Sequence, residues 1–170
     1  MDHLTLNAYA KINLSLDVLG LRDDGFHQVE MVMQSISIAD KLRFEMASDL
    51  CLRCNDPTLP SDTNNLVLKA ARILKNRYKV SQGARIYLEK NIPVAAGLGG
   101  GSSDGAMTLW GLNILWDLRL SAGELLNIAG ELGSDVPFAL IGGTIFAQGR
   151  GEKLTTLPPL PRLWLVLVKP

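Results

Sequence analysis

The sequence predicts an α+β domain, and three observations carry that prediction. Apolar and polar residues alternate with period two in several short segments, other segments show the 3.6-residue period of helices, and a glycine-rich loop at residues 97–101 joins a strand to a helix. At 170 residues, 47% of them hydrophobic, the chain is long enough for one well-packed domain. Lys plus Arg and Asp plus Glu number 17 each, so the formal net charge is zero. Nothing in that balance attracts nucleic acid or an anionic membrane in general, and any phosphate recognition must be local.

Residues 4–8 and then Ile12, Leu14, Leu16 and Val18 alternate with polar or small residues, which predicts two half-buried strands interrupted near Tyr9, Ala10 and Lys11. Lys11 is set among apolar and small residues, where an ammonium is costly without an anionic partner. The alternative is a solvated charge on an edge strand. Residues 21–27 form a turn with Asp24 and Gly25 at its apex, so Phe26 and His27 fall just past it. There an aromatic ring can stack on a base while imidazole hydrogen-bonds its edge; otherwise Phe26 is core and His27 surface. An apolar stretch, 29–38, follows, and residues 42–47 and 50–54 alternate as two further strands joined by a short polar turn. Cys51 and Cys54 are three apart in that alternation and face opposite sides of a strand, which argues for two ordinary cysteines rather than zinc or redox chemistry.

Turn formers in residues 56–63 supply caps for a helix over about 65–79, with Leu66, Ala70, Ile73 and Leu74 buried and Lys69, Arg72 and Lys75 toward water. Residues 84–89 alternate as a strand that residues 90–93 stop. In the loop beyond, Gly97, Gly99, Gly100 and Gly101 carry no Cβ, so the backbone can take positive φ and approach a ligand closely. Ser102 and Ser103 are good N-cap residues, and the helix they open turns unpaired N–H groups and its positive dipole end on the loop. The loop therefore reads as a phosphate cradle. It is not a Walker loop, because Ser102 stands where the lysine belongs, and the third glycine of the dinucleotide-binding and kinase spacings is missing.

The helix after the loop is apolar nearly all round through Met107, Leu109, Trp110, Leu112, Ile114, Leu115 and Trp116, and is expected to be deeply buried, its methionine and tryptophans core. Ser121-x-x-Glu124 is a capping box for a helix that passes Leu125, Ile128 and Leu132 and stops at Gly133. Asp135, ahead of Val136 and Pro137, suits the N-cap of a short turn. Residues 144–148 form a strand, and 163–168 read as a continuous apolar strand of the buried type. That run is far short of the ~20 residues that span a bilayer. Residues 1–4 lack a basic segment followed by an apolar core, so no secretory signal is read and a cytoplasmic protein is expected.

The stretch P-x-x-x-G-L-G-G-G-S-S-D at residues 93–104 resembles the ATP-binding motif of the GHMP kinases. A-Y-A-K-I-N-L-S-L, R-D-D-G-F-H, N-N-L-V-L-K-A-A and G-S-D-V-P-F resemble further segments, in the form found in the branch of that family acting on a diphosphocytidyl substrate. The resemblance runs from near residue 8 to the end of the chain. It implies an α+β fold over residues 1–160, a mainly antiparallel sheet with helices on one side, like a two-layer ribosomal-protein domain. Residues 161–170 would then begin the connection to a C-terminal domain that carries part of the substrate site, without which these 170 residues are not expected to be a working enzyme.

The resemblance also implies the chemistry. The γ-phosphoryl of ATP would pass to the 2-hydroxyl of 4-diphosphocytidyl-2-C-methyl-D-erythritol, a step of non-mevalonate isoprenoid biosynthesis, with Mg²⁺ spreading the phosphate charge and no metal ligand assigned. Pro93, Gly97, Leu98, Gly99, Gly100, Gly101, Ser102 and Ser103 would hold ATP, with Asn65 at the adenine end unless it or Asn64 merely caps a helix. Asn13, Phe26 and His27 would bind the small-molecule cytidine diphosphate substrate. Asp135 would take the hydroxyl proton, and Lys11 would stabilise the developing alkoxide charge. Gly105 departs from the alanine usual in the family, which weakens the helix's first turn somewhat. Two rivals stand beside this reading. One is a GHMP kinase for another alcohol, against which only Phe26 and His27 speak. The other is a non-catalytic nucleotide- or RNA-binding module, which would want a basic stripe and gives Lys11 and Asp135 no reason to converge.

Overall fold

The computed structural model describes residues 3–60 and 64–169. In chain order the elements begin β1 (His3–Leu21), β2 (His27–Ala47), β3 (Cys51–Cys54), α1 (Leu66–Arg77) and β4 (Gly83–Glu89). They continue with α2 (Gly100–Leu115), α3 (Ala122–Leu132), α4 (Val136–Ile141), β5 (Thr144–Gly149) and β6 (Lys153–Thr156). The strands form a single six-stranded sheet with helices packed on one side, an α+β architecture of mainly antiparallel pairs.

A strand has two hydrogen-bonding edges, and β2 uses both along most of its length. One edge pairs with β1 from Leu21↔His27 to His3↔Glu45. The other is shared: β5 takes residues 29–34 and β4 takes 41–47. β3 adds to β4 in parallel and β6 adds to β5. Period-two geometry turns alternate side chains of β2 inward, so Leu42 and Phe44 lie on the helix side, fully buried. There they meet Leu109 and Leu112 of α2, Val67 and Leu74 of α1, and Ile128 of α3 in one core cluster. A smaller cluster of Met31, Met33, Phe138, Ile145 and Ala147 lies under β5.

Several expectations are corrected. The two strands expected around Tyr9–Lys11 are one, because the ladder continues past an irregularity where Tyr9 pairs with Ala39 and Lys11 with Ser35. β2 likewise runs through the gap expected between 38 and 42. The helix after the glycine loop begins at Gly100 with Gly99 as N-cap in the left-handed region, so Ser102 and Ser103 lie inside its first turns and cap nothing. The hydroxyl of Ser103 donates instead to the Tyr9 carbonyl across to β1. Nor is α2 buried all round: Trp110 and Ile114, four residues apart on one face, are exposed, because the core lies on the other side. Trp116 is core, its indole N–H donating to the Gly83 carbonyl at 3.3 Å.

Residues 163–168 are not a buried strand. They run without ladder partners, with Trp164, Val166 and Val168 at 84–95% exposure and Leu163, Leu165 and Leu167 at 41–60%, because only one side of the segment has sheet to lie on. β6 had no foreseen counterpart. The capping box at Ser121 and Glu124 is present, and Cys51 and Cys54 are free. Positions 61–63 of the expected capping loop lie outside the described residues. Among the described residues no helix is long and apolar enough to cross a membrane.

Candidate active site

The irregular point of β1 is where the site is assembled. With the ladder broken around Ala10, the Lys11 backbone N–H donates to the Leu98 carbonyl at 2.9 Å, and the Tyr9 carbonyl accepts from Ser103. Glycine loop and α2 are thus fastened to β1 by groups a regular ladder would have consumed. Gly97 and Gly99 both have positive φ, +72° and +69°. A Cβ on Gly99 would stand 2.9 Å from Lys11 Cγ, so only glycine lets the loop lie on this side chain. Having no side chain, Gly99 cannot cap α2, and the helix's first N–H groups are left for a ligand in the groove.

Lys11 is buried among these residues, and its ammonium has two partners. Asn13 Oδ1 accepts from it at 3.1 Å, and Asp135 Oδ2 lies 3.4 Å away. Asp135 is the N-cap residue of α4 by position, yet its carboxylate makes no capping bond. It is half-buried and faces Lys11. Capping therefore does not explain this carboxylate, and the Lys11–Asp135 pair sits at the rim of the glycine loop with part of the carboxylate open to solvent.

The groove beside this pair is lined by Pro93, Gly97, Leu98, Gly99, Gly100, Gly101 and Ser102, with Asn65 and Leu66 from the start of α1. Ser103 is turned away from it. Asn65 borders the groove, but its side chain is the N-cap of α1: Oδ1 accepts from the Val67 N–H at 2.9 Å and Nδ2 donates to the Pro60 carbonyl at 2.9 Å. Phe26 and His27 are exposed at the far end of the β1–β2 hairpin. Ten residues of strand separate Lys11 from Leu21, the partner of His27, a contour of about 33 Å, so no contact joins them to the Lys11 group. The Arg150 guanidinium lies over the Phe26 ring, 4.8 Å from its centroid, and the residue stays about half exposed.

Beneath the groove lies a charged cluster that the sequence reading missed. Asp40 of β2 is fully buried, and its Oδ1 accepts from the Asn91 and Ile92 N–H groups at 2.6 and 2.8 Å. Lys90 donates to Asp40 Oδ2 and, at 2.8 Å, to Asp104 Oδ2 of α2. Burial by itself lowers the Lys90 pKa, but the charges and hydrogen bonds of Asp104 and Asp40 outweigh it, and the ammonium is held above its usual range. Burial pushes the Asp104 carboxyl up to about 7 against the pull of Lys90. One signal was available: in I-S-I-A-D-K-L-R-F, Asp40 shares the parity of Leu42 and Phe44, which puts a carboxylate on the inward face.

The family model described as GHMP kinases N terminal domain matches residues 65–143. The chain is 51% identical over 169 residues to a protein of Listeria welshimeri named 4-diphosphocytidyl-2-C-methyl-D-erythritol kinase, covering 98% of this chain and 58% of that protein. It is 52% identical over 171 residues to a protein of the same name from Moorella thermoacetica, covering 60% of it. A crystal structure of 4-(cytidine 5'-diphospho)-2C-methyl-D-erythritol kinase superposes with a TM-score of 0.78 at 38% identity, over 91% of this chain and 55% of that one. The chain thus spans somewhat under two thirds of the length of the relatives it matches.

Proposed function

Since the chain belongs to the GHMP kinases through their N-terminal domain, we propose that the protein carrying it is a cytoplasmic enzyme that phosphorylates the 2-hydroxyl of 4-diphosphocytidyl-2-C-methyl-D-erythritol with ATP. The observation that carries this reading is the Lys11–Asp135 pair at the rim of the glycine loop. The loop and the open first turn of α2 offer N–H groups to the phosphate oxygens, which fixes the γ-phosphorus in line with the acceptor. The Asp135 carboxylate takes the hydroxyl proton as the oxygen bonds to the γ-phosphorus, and the bond to the bridging oxygen breaks to release ADP. Lys11, held by Asn13, faces the oxygen on which negative charge develops.

Mg²⁺ belongs to the substrate in this scheme, arriving on the triphosphate and spreading its charge; among the described residues no group of three or more His, Cys, Asp or Glu converges to hold a resident ion. Phe26 offers its exposed ring to the cytosine and His27 its ring nitrogens to the base edge. The extended acceptor is shorter than the strand contour between the hairpin tip and Lys11, so the β1–β2 hairpin must curve toward the glycine loop for base and 2-hydroxyl to be held at once, and a further domain supplies the remaining wall. With ATP, Mg²⁺ and the diphosphocytidyl substrate, the intact protein should form ADP and a singly phosphorylated product in equal amounts. Equal rates with the uridine analogue, or preferential phosphorylation of homoserine or mevalonate, would overturn the acceptor assignment.

A further inference from the structure

The Asp40–Lys90–Asp104 cluster grips the chain on both sides of the glycine loop. Asp40 holds the backbone at Asn91 and Ile92, the last residues before the loop, and Lys90 passes the grip to Asp104 just after it. The ammonium is also close under the loop: a Cβ on Gly100 would lie 3.1 Å from Lys90 Nζ. Lys90 and Asp104 both line the groove. Such a cluster sets the shape of whatever it brackets, because a buried charge is stable only while its partners stay in place.

Its charges do not cancel. Two carboxylates share one ammonium, and Asp104 Oδ1 is buried with no hydrogen-bond partner among the described residues. The groups facing Asp104 are Lys90 from the segment after β4 and Asp40 from β2. From α1 the apolar Leu66 packs against the neighbouring Gly105, and Lys11 of β1 is engaged with Asn13 and Asp135. We infer that Asp104 is a positioning residue of the phosphate loop whose carboxyl takes up a proton when a polyphosphate enters the groove, making the cluster neutral as the ligand's negative charge arrives. Oδ1 is the oxygen that receives it, since Oδ2 accepts from Lys90. The inference rests on the reading of the groove as a nucleotide site.

The sign follows from the charges. An arriving anion acts on Asp104 as Asp40 does and raises its pKa further. Well below pH 7 the carboxyl already carries its proton and takes up none, so uptake is confined to the range around and just above its pKa of about 7. By linkage, nucleotide binds more tightly as pH falls through that range.

Calorimetry of ADP binding to the intact protein in two buffers of different ionisation enthalpy measures the proton count. A rise of about one pKa unit gives uptake of roughly half a proton per ADP at pH 7.5. The phosphate's own titration is common to parent and variant and cancels between them. Uptake should therefore fall in Asp104→Asn, and the pH dependence of the KM for ATP between pH 6 and 8.5 should flatten there, with kcat not following the same profile. Equal uptake in both proteins overturns the inference while leaving the nucleotide site standing; failure of the parent to bind ADP overturns both. Carbon-13 NMR of aspartate carboxyls in the unmodified protein needs no variant. It should show one carboxyl titrating near neutrality and moving upward on ADP addition, and finding none that does so overturns the inference.

Discussion

Lys11 and Asp135 stand near opposite ends of the domain's sequence, and the structure brings them to 3.4 Å. No spacing rule reaches that far. What was legible in Lys11 alone was a charge in apolar company, a need for a partner without its name; the partner came from family resemblance. If Asp135 takes the acceptor's proton, Asp135→Asn should abolish transfer in the intact protein with ATP binding nearly unchanged, because the carboxylate works on the acceptor and does not hold the nucleotide. Single-turnover kinetics beside nucleotide titration would decide it, and near-normal turnover removes Asp135 from the chemistry. Lys11→Ala should lower kcat by about 10²-fold or more if the ammonium meets developing charge. Asp40 and Lys90 were overlooked for a different reason: each reads as an ordinary charge beside a turn, and only the meeting of β2, the end of β4 and α2 shows that Lys90 joins Asp40 to Asp104 while Asp40 also holds the Asn91 and Ile92 backbone.

At the level of elements, periodicity located most strands and all three longer helices, but not what each strand meets. Residues 163–168 have the composition of a strand covered on both faces, and only one side of them is supplied here. β6 is too short and polar to show a pattern, and exists because β5 offers an edge. Packing also sets demands that no pattern reveals. Gly111 in α2 lies so close to β2 that a Cβ there would come within 2.6 Å of the buried Phe44 ring. Helix propensity favours alanine over glycine by up to ~1 kcal/mol, whereas overpacking a core costs ~1–3 kcal/mol, so Gly111→Ala should lower stability. Thermal unfolding should show a Tm lower by a few degrees, and an unchanged or higher Tm would mean that α2 moves away freely. At the hairpin tip, Phe26→Ala should weaken the diphosphocytidyl substrate by an amount matching a base stack, ~1–3 kcal/mol, and leave the KM for ATP alone. A parallel loss of both would place Phe26 in the fold and not in the base pocket.

At the largest scale, loop, ion pair and groove are all present, while the outer half of β1 and residues 163–168 are left uncovered among the described residues. Expressed as these 170 residues, the domain should bind ATP weakly and self-associate through the apolar side chains of 163–168 and the outer half of β1, where Leu14, Leu16, Val18, Leu19 and Leu21 are exposed. Without a wall to hold the acceptor in line its turnover should be negligible, and a rate within about tenfold of a typical ~10 s⁻¹ would show that no further wall is needed. The divided edge of β2 bears on how such a chain is made. Its two halves are completed by residues 83–89 and 144–149, so during synthesis one half stays open while the intervening residues emerge. At ~5–20 residues per second that interval is roughly 3–11 s, during which a nascent hairpin presents unpaired N–H and C=O groups to its neighbours on the polysome. The moment of greatest aggregation risk is therefore set by translation speed through the helical middle of the chain, and pausing there should lower the yield of folded protein more than pausing after residue 149.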